Sequence, residues 1–191
     1  MELIVFIIAG YIIGSISFAY LFTFFLTGKD IRTIGTRNPG AANVAREIGK
    51  KWGIIVWLGD TIKGAGIMAV AKSYGITNEI LLTIIGISAV IGHCYPIFLK
   101  FKGGKGIATM GGVMLYLAPV VFPFILGFWF IAQAINPRSL KIILPEVMLF
   151  FVILWQIYPH AFSNLAISTL LLIFTNAFVN REAFNEMRRA H

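Results

Sequence analysis

The chain has 191 residues, of which 58% are hydrophobic and only 13% are charged, and its mean hydropathy is +0.85. A soluble domain carries a larger charged share, so this composition excludes one and indicates a membrane protein of up to about seven spans of about 20 residues. The net charge of +8 suits anionic lipid headgroups, phosphorylated substrates or topology signals, and the single cysteine excludes an internal disulfide and a cysteine-based metal cluster.

Six apolar runs follow in chain order, separated by short polar stretches. The first lacks a basic N-terminal region and runs past the length of a signal peptide, so it predicts a membrane span. The fourth is about 29 residues long and contains Pro119 and Pro123, so it predicts either one kinked span or two short spans. The six runs cover residues 3–26, 53–71, 80–99, 107–135, 142–158 and 161–179.

The basic residues decide between these alternatives, because cytoplasmic loops are enriched in lysine and arginine. If segment 28–51 is cytoplasmic and the fourth run turns near Pro119 and Pro123, fourteen of the sixteen basic residues lie inside and only Lys72 lies outside. We therefore predict an all-α integral membrane protein with seven transmembrane helices, an external N-terminus and a cytoplasmic C-terminus. Residues 1–191 are predicted to form one transmembrane domain of the cell (inner) membrane, with short cytoplasmic active-site loops.

The polar segment after the first run is rich in residues that form turns and recognise anions. It contains Thr36, Asn38, Gly40, Asn43 and Arg46. Arginine can bind a phosphate through two hydrogen bonds, and asparagine can bond hydroxyls or anionic oxygens. Turn chemistry alone could produce the same pattern, so the segment predicts either a substrate-binding loop or an ordinary turn-rich connection.

Two charged residues, Asp60 and Lys63, fall inside the second apolar run. Their spacing of three residues places both on one helix face. Charges within a membrane are costly unless they are paired or face water. The two residues are therefore either a buried structural ion pair or part of a site at the cytoplasmic end of this span.

His93 lies near the cytoplasmic end of the third run, which leads to Lys102, Gly103, Gly104 and Lys105. Glycine lets backbone N–H groups approach a phosphate, and the start of the following helical run adds positive potential. A structural histidine and lysines that only set topology are the alternatives. No Ser-His-Asp arrangement, paired-carboxylate site or histidine-rich metal site is evident, and interleaved aromatics are lacking, so we expect no metal, cofactor or nucleic-acid partner.

Three motifs together resemble the bacterial acyl-phosphate-dependent glycerol-3-phosphate acyltransferases, which are integral membrane enzymes with seven spans. The similarity is close over about residues 10–112. The motifs are Gly28–Arg32 leading into Gly35–Arg46, then Gly59–Gly64, and finally Gly92–Phe98 running through Lys100–Thr109. The resemblance implies transfer of a fatty acyl group from acyl phosphate to the 1-hydroxyl of glycerol 3-phosphate, which releases phosphate and gives lysophosphatidate for phospholipid biosynthesis.

The resemblance also implies roles for individual residues. The catalytic residues would be Thr36, where the family has serine, together with Arg46, His93 and Lys105. The substrate-binding residues would be Asn38, Gly40, Asn43, Asp60, Lys63, Lys102, Gly103 and Gly104. The glycerol phosphate hydroxyl would attack directly, and its proton would pass to a substrate phosphate oxygen or to His93. The implied partners are the two substrates and membrane lipid, with the oligomeric state left open.

Three departures from the family pattern leave other functions open. Arg37 stands where the family usually has glycine, Ala42 stands where it has threonine, and residues 180–183 replace a His-Arg-x-Asn stretch. One alternative is a diverged paralogue with altered or no activity that binds phospholipid or acyl phosphate. The other is a small transporter of a phosphorylated solute, which should show repeat symmetry between its halves, and the sequence shows none.

Overall fold

A computed structural model describes residues 2–124, 126–127 and 143–181, and all of their regular structure is helical. This confirms the predicted all-α class. The helices are α1 (Glu2–Gly14), α2 (Phe18–Thr27), α3 (Ala41–Glu47), α4 (Lys50–Ser73), α5 (Glu79–Cys94), α6 (Ile107–Leu117), α7 (Ile143–Ile157) and α8 (Phe162–Val179). Single 3₁₀ turns lie at Ile31–Thr33 and Ile97–Leu99.

Several helical stretches in the described residues are long and apolar enough to cross a membrane. Many of their large apolar side chains point outward, as with Phe25 and Phe174, which are 82% and 69% exposed. Such a surface suits lipid rather than water. The total of seven spans stays a prediction. The long stretches are Glu2–Thr27, Lys50–Ser73, Glu79–Leu99 and Phe162–Val179, and the shorter apolar helices are Ile107–Leu117 and Val147–Ile157.

The first apolar run forms two helices rather than one continuous helix. α1 ends at Gly14, and α2 begins at Phe18 with Ser17 as its N-cap. The Ser17 hydroxyl oxygen accepts a hydrogen bond from the Tyr20 N–H at 3.2 Å, which replaces a backbone partner that the start of a helix lacks. The break leaves the Ile16 carbonyl outside both helices, where a side chain from elsewhere can reach it.

The fourth apolar run is interrupted where its prolines predict. α6 ends at Leu117, Pro119 lies in a turn, and helical structure resumes at Val121. Proline lacks an N–H and cannot continue a helix, which explains the interruption. The part of this run from residue 128 onward lies outside the described residues. So do Arg138, Lys141, Arg188 and Arg189, on which the predicted topology depends.

In the described part of the chain α4 packs against α1, α2, α3, α5 and α6, and beside it α5 packs against α1, α4, α6 and α8. Around it lies a core of large apolar side chains that are almost fully buried. A smaller cluster packs α2 and α3 against α4. The main core includes Met68, Ile85, Val113, Leu154 and Leu172.

Glycines let α4 and α6 approach each other closely. A Cβ atom at Gly112 would overlap the Thr61 carbonyl oxygen, and a Cβ atom at Gly64 would overlap the Thr109 carbonyl oxygen. Small residues at such crossings bring membrane helices into backbone contact. This contact fixes the start of α6 against α4, and with it the preceding residues 99–106, which we call the Gly-Lys segment.

We expect Gly112→Ala to destabilise the protein by about 1–3 kcal/mol, because the added methyl group meets a backbone atom that cannot rotate away. The neighbouring Gly111→Ala is the matched control, since the nearest atom to its new methyl group is Phe122 Cζ at 3.4 Å. Thermal unfolding of both variants in one detergent measures the difference. Equal melting temperatures would contradict the close α4–α6 contact.

Candidate active site

The loop before α3 is folded around the side chain of Asn43, which is only 2% exposed. Its Oδ1 accepts a hydrogen bond from the Thr36 N–H at 3.0 Å. Its Nδ2 donates to the Ile31 and Ile34 carbonyl oxygens at 3.3 and 3.1 Å. Both amide hydrogens and the oxygen are thus used inside the protein. The structure therefore gives Asn43 the role of shaping the loop, whereas the sequence predicts it as a substrate ligand.

The same loop presents polar side chains to the outside. Thr36 is exposed and Asn38 is half-buried, and Arg46 is exposed in the last turn of α3, which follows the loop. Gly40 is the N-cap of α3, and its N–H donates to the Asn38 carbonyl at 2.9 Å. The Asn43 bond to the Thr36 N–H sets the backbone from which the threonine hydroxyl projects.

Arg37 has a left-handed backbone conformation, with a φ of +59°. This conformation costs a residue with a Cβ atom about 1–2 kcal/mol, and glycine adopts it without that penalty. The glycine that is usual at this position in the family therefore has a conformational reason. Arg37 adds an exposed cation to the loop at the expense of backbone strain.

Arg32 joins this loop to the Gly-Lys segment. Its Nη1 donates to the Leu99 carbonyl at 2.8 Å, and its Nε and Nη2 donate to the Asp30 carboxylate at 2.6–3.1 Å. The hydrogen bonds from the Arg32 guanidinium hold the pKa of Asp30 below its usual value, so this carboxyl is ionised at neutral pH. The sequence indicates Arg32 as a topology signal and as the end of the Gly28–Arg32 motif, and no local pattern predicts its contact with Leu99.

Three ionisable side chains are buried together where α4 meets α5. Asp60, Lys63 and His93 are 1%, 5% and 6% exposed. The Lys63 Nζ lies 2.8 Å from Asp60 Oδ1 and 3.0 Å from His93 Nδ1. It also donates to the Ile16 carbonyl at 2.8 Å. The contact of Lys63 with Asp60 is an ion pair without hydrogen-bond alignment, since Oδ1 has no aligned donor among the described residues.

The Gly-Lys segment turns back onto the end of α5. The Gly103 N–H donates to the Cys94 carbonyl and the Gly104 N–H donates to the His93 carbonyl, both at 3.1 Å. A Cβ atom at Gly103 would overlap the His93 carbonyl oxygen, so this position has room only for glycine. The sequence predicts that these N–H groups face a phosphate, but in the structure both are bonded to α5. Backbone N–H groups for an anion remain at the start of α6, which has no side-chain cap.

Two asparagines of α8 hold the backbone of Lys105. The Nδ2 atoms of Asn176 and Asn180 donate to the Lys105 carbonyl at 2.9 and 3.0 Å. The side chains of Lys105 and Lys102 are exposed. In the sequence Asn180 stands out only as a departure from the family pattern, and Asn176 belongs to no motif. Their spacing of four residues on one helix face is the signal that could have linked them.

Gly104 is the point at which the predicted segments meet. A Cβ atom there would overlap His93 Nε2 and would lie 3.0 Å from the Pro39 carbonyl oxygen. The first motif, the third motif and the buried cluster therefore converge beside this glycine. Thr36 belongs to the same loop as Pro39, and Arg46 lies in the last turn of α3, which follows that loop. Among the described residues no hydrogen bond joins either side chain to Lys105.

An apolar groove of about 640 Å³ runs along α4. The lining of the groove is apolar except for Lys63, whose ammonium group points to Asp60 and His93. From Ile55 to Val70 it follows α4 for about 22 Å at 1.5 Å per residue. The lining residues are Ile13, Phe18, Phe22, Ile55, Leu58, Gly59, Ile62, Lys63, Gly66, Ile67 and Val70.

The charged side chains of this site can bind and stabilise an anion. Exposed cations stand on the loops that meet at Gly104, and an apolar groove reaches the buried cluster behind them. In residues 2–124, 126–127 and 143–181, no group of three or more His, Cys, Asp or Glu side chains could hold a metal ion. The site can therefore bind an anionic group beside an apolar chain.

Comparison with known proteins identifies similar sequences over most of the chain. The family model described as glycerol-3-phosphate acyltransferase matches residues 4–188. The glycerol-3-phosphate acyltransferase of Dechloromonas aromatica (strain RCB) is 36% identical over 149 residues, which cover 78% of this chain and 75% of that protein. The enzyme of the same description from Burkholderia pseudomallei (strain 1710b) is 36% identical over 177 residues, covering 90% of this chain and 87% of that protein.

Solved structures are similar as well. The crystal structure of PlsY (YgiH), an integral membrane glycerol 3-phosphate acyltransferase, in its glycerol 3-phosphate form has a TM-score of 0.79 and 30% sequence identity. The structural match covers 100% of this chain and 94% of the PlsY chain. The lysophosphatidic acid form has the same TM-score with 27% identity, and it covers 100% of this chain and 93% of that chain.

We expect Asn43→Ala to lower the free energy of unfolding by about 2–3 kcal/mol, because it leaves a backbone N–H and two carbonyl oxygens of the loop without their partner. Asn38→Ala is the matched control, since its half-buried side chain makes no hydrogen bond among the described residues. Thermal unfolding in detergent measures both. A melting temperature that responds equally to the two substitutions would contradict the role of Asn43 in shaping the loop.

Proposed function

Since the chain belongs to the glycerol-3-phosphate acyltransferase family, as the match over residues 4–188 shows, we propose that its acyl donor is acyl phosphate and its acceptor the 1-hydroxyl of glycerol 3-phosphate. The chain is a multi-pass integral membrane acyltransferase of glycerophospholipid synthesis. The observation that carries the proposal is that two cation-bearing loops meet beside Gly104, at the end of α5. The apolar groove along α4 reaches the same place through Lys63.

Two phosphate-bearing substrates require cations that are not already used inside the protein. Arg46 and Lys105 meet this requirement, because both are exposed. Lys105 follows Gly104 directly, and Arg46 lies in the last turn of α3, the helix that follows the Pro39 loop. In our proposal Lys105 and the uncapped start of α6 bind the donor phosphate, and Arg46 binds the acceptor phosphate. Lys102 adds positive potential nearby. Asn38 and Gly40 face the acceptor from the loop before α3.

The proposed reaction is a direct transfer. The glycerol phosphate oxygen attacks the acyl carbonyl carbon, a new ester C–O bond forms, and the C–O bond to the phosphate breaks. Inorganic phosphate leaves, and the hydroxyl proton ends on a phosphate oxygen. Because acyl phosphate is already activated, the protein has mainly to align the two substrates and stabilise the departing phosphate. Thr36 orients the reacting oxygens through its exposed hydroxyl.

The groove along α4 is proposed to hold the acyl chain. A length of about 22 Å suits a long extended chain, and the lining is almost wholly apolar. Its exposed wall, which includes Ile62 and Val70, lets a substrate enter sideways from the membrane. This arrangement keeps the chain in an apolar environment while its phosphate reaches the polar loops.

The departures at the end of α8 are compatible with this function. Asn180, which stands where the family has histidine, still binds the segment that carries Lys105. The strain at Arg37 lies in an exposed part of the loop. We therefore propose an active enzyme with residues 1–191 as one transmembrane acyltransferase domain.

We propose that the N-terminus lies outside the cell (inner) membrane and that the C-terminus and the active site are cytoplasmic. The excess of basic residues in segments 28–51 and 100–105 supports this orientation. The break of the fourth run at Pro119 supports a pair of short spans there. Tag accessibility that places both termini on the same side would overturn it.

Purified protein is expected to form lysophosphatidate and inorganic phosphate from palmitoyl phosphate and glycerol 3-phosphate, but not from acyl-CoA or acyl carrier protein. Arg46→Ala and Lys105→Ala should each lower kcat/KM at least about 100-fold, because each removes a charge that stabilises a phosphate. Product analysis by mass spectrometry, with release of phosphate, measures both.

Lys72→Ala is the control for these variants and should leave turnover unchanged, since Lys72 is exposed in the last turn of α4, about 14 Å along the helix from Lys63, and lies on the external side in the proposed topology. Undiminished turnover in Arg46→Ala or Lys105→Ala would refute their roles. Uptake of glycerol 3-phosphate into proteoliposomes without product would refute the proposed chemistry.

Gly66→Leu should lower kcat/KM for palmitoyl phosphate about tenfold or more and affect octanoyl phosphate less. A Cβ atom at Gly66 would meet no other atom within 4 Å, and Gly66 lines the groove, so a side chain that starts there can extend into the groove. Displacing two buried methylene groups costs about 1.6 kcal/mol. Ala69→Leu, an exposed change on the same helix outside the groove, is the control. An unchanged ratio of the two donors would remove the groove from the proposal.

A further inference from the structure

The Nδ1 atom of His93 faces both members of the buried ion pair. It lies 3.0 Å from Lys63 Nζ and 3.4 Å from Asp60 Oδ1. If Nδ1 donates its proton to Asp60, the lone pair is on Nε2 and His93 can act as a base. If Lys63 donates to Nδ1, the proton is on Nε2 and His93 is a hydrogen-bond donor. The two arrangements predict opposite chemistry for the same ring.

The donors of Lys63 decide between these arrangements. An ammonium group has three N–H donors and no acceptor, so a nitrogen that is hydrogen-bonded to it must offer a lone pair. The 3.0 Å distance to His93 Nδ1 lies within the usual hydrogen-bond range, whereas the 3.4 Å distance from Nδ1 to Asp60 exceeds it. A second N–H of Lys63 donates to the Ile16 carbonyl at 2.8 Å, and Asp60 Oδ1 lies 2.8 Å from Nζ as the ion-pair partner.

The charge balance of the cluster favours the same arrangement. Asp60 and Lys63 neutralise each other, and they are the charged side chains that contact His93 among the described residues. Protons on both ring nitrogens would place a second cation 3.0 Å from the ammonium group, in a site almost closed to water. The neutral ring with its proton on Nε2 avoids this repulsion.

The Nε2 atom faces the place where the two motif loops meet. A Cβ atom at Gly104 would overlap Nε2 and would lie 3.0 Å from the Pro39 carbonyl oxygen. No protein group in the described part of the chain accepts a hydrogen bond from Nε2. The Nε2 proton is therefore available to an oxygen that enters beside Gly104.

We infer that Lys63, paired with Asp60, fixes His93 as the neutral Nε2–H tautomer, so that His93 donates a hydrogen bond to an anionic oxygen of a bound substrate beside Gly104. This inference rests on the proposed function for the identity of that oxygen. It assigns the hydroxyl proton to the substrate phosphate rather than to His93. It also makes Asp60 and Lys63 positioning residues, because their charges are used inside the protein and do not reach a substrate.

Nitrogen-15 NMR of the imidazole ring tests the tautomer directly. The chain has three histidines, so His160→Asn with His191→Asn leaves His93 as the single imidazole signal. At neutral pH we expect a protonated Nε2 and an unprotonated Nδ1, identified from their long-range couplings to the ring hydrogens. A proton on Nδ1, alone or together with one on Nε2, would overturn the inference.

Activity distinguishes a donor from a base at His93. A glutamine amide can place an N–H near the position of Nε2, so His93→Gln should keep kcat within about tenfold of the wild type. His93→Ala and His93→Asn lack that donor and should lower kcat about 100-fold or more. A His93→Gln enzyme as inactive as His93→Ala would contradict the donor role.

Kinetics of the double variant Asp60→Asn with Lys63→Met distinguish a positioning role of the ion pair from a substrate-binding role. Both charges are removed together, so no unpaired charge is left buried. A positioning role predicts a kcat about tenfold or more lower, with the KM for glycerol 3-phosphate changed less than about threefold. A raised KM with kcat retained would show instead that the pair binds substrate. If this variant does not fold, the NMR measurement on the wild-type pair still decides the tautomer.

Different results would refute the proposed function and the inference about the His93 tautomer. A protein without transferase activity, but with the proton on Nε2, would refute the proposed donor and acceptor and leave the tautomer intact. An active enzyme with the proton on Nδ1 would refute the inference and leave the proposed function intact.

Discussion

The buried ion pair of Asp60 and Lys63 is the constraint around which the site is organised. A charge taken out of water is costly, so neither residue can lie between apolar helices without the other and without further polar partners. Lys63 finds these partners in the Ile16 carbonyl and in His93. The carbonyl is accessible because Ser17 starts a new helix within the first apolar run, and the histidine is in reach because α5 packs against α4. One lysine thus ties together the α1–α2 break, α4 and α5.

The backbone conformation of the site loops depends on a related requirement: buried backbone groups must be hydrogen-bonded. The carbonyl of His93 at the end of α5 accepts from Gly104, and the carbonyl of Lys105 accepts from Asn176 and Asn180. These bonds fix the backbone of the Gly-Lys segment and leave the lysine side chain exposed. Uncharged groups thus hold the backbone of the Gly-Lys segment, and its exposed lysine side chains are free for the phosphate binding that we propose.

Much of this could be predicted from the sequence, because the relevant signals are local. Hydropathy predicts the helical membrane class, Pro119 predicts the break in the fourth run, and the three-residue spacing places Asp60 and Lys63 on one face. The α1–α2 break was missed because Ser17 lies within an apolar run that reads as continuous. The inward orientation of Asn43 was missed too, since an asparagine in a turn-rich segment has the same composition whether it faces a substrate or its own backbone.

The sequence by itself determined that the chain lies in a membrane, which family it resembles and which residue types carry its charge, because these are properties of composition and of order along the chain. Only the tertiary structure decided which donor meets which acceptor. Lys63 and His93 are 30 residues apart, and the bond between them exists because two helices pack closely enough to bring a lysine tip to a ring nitrogen. That contact distinguishes a histidine that accepts a proton from one that donates a hydrogen bond, and no spacing along the chain contains this information.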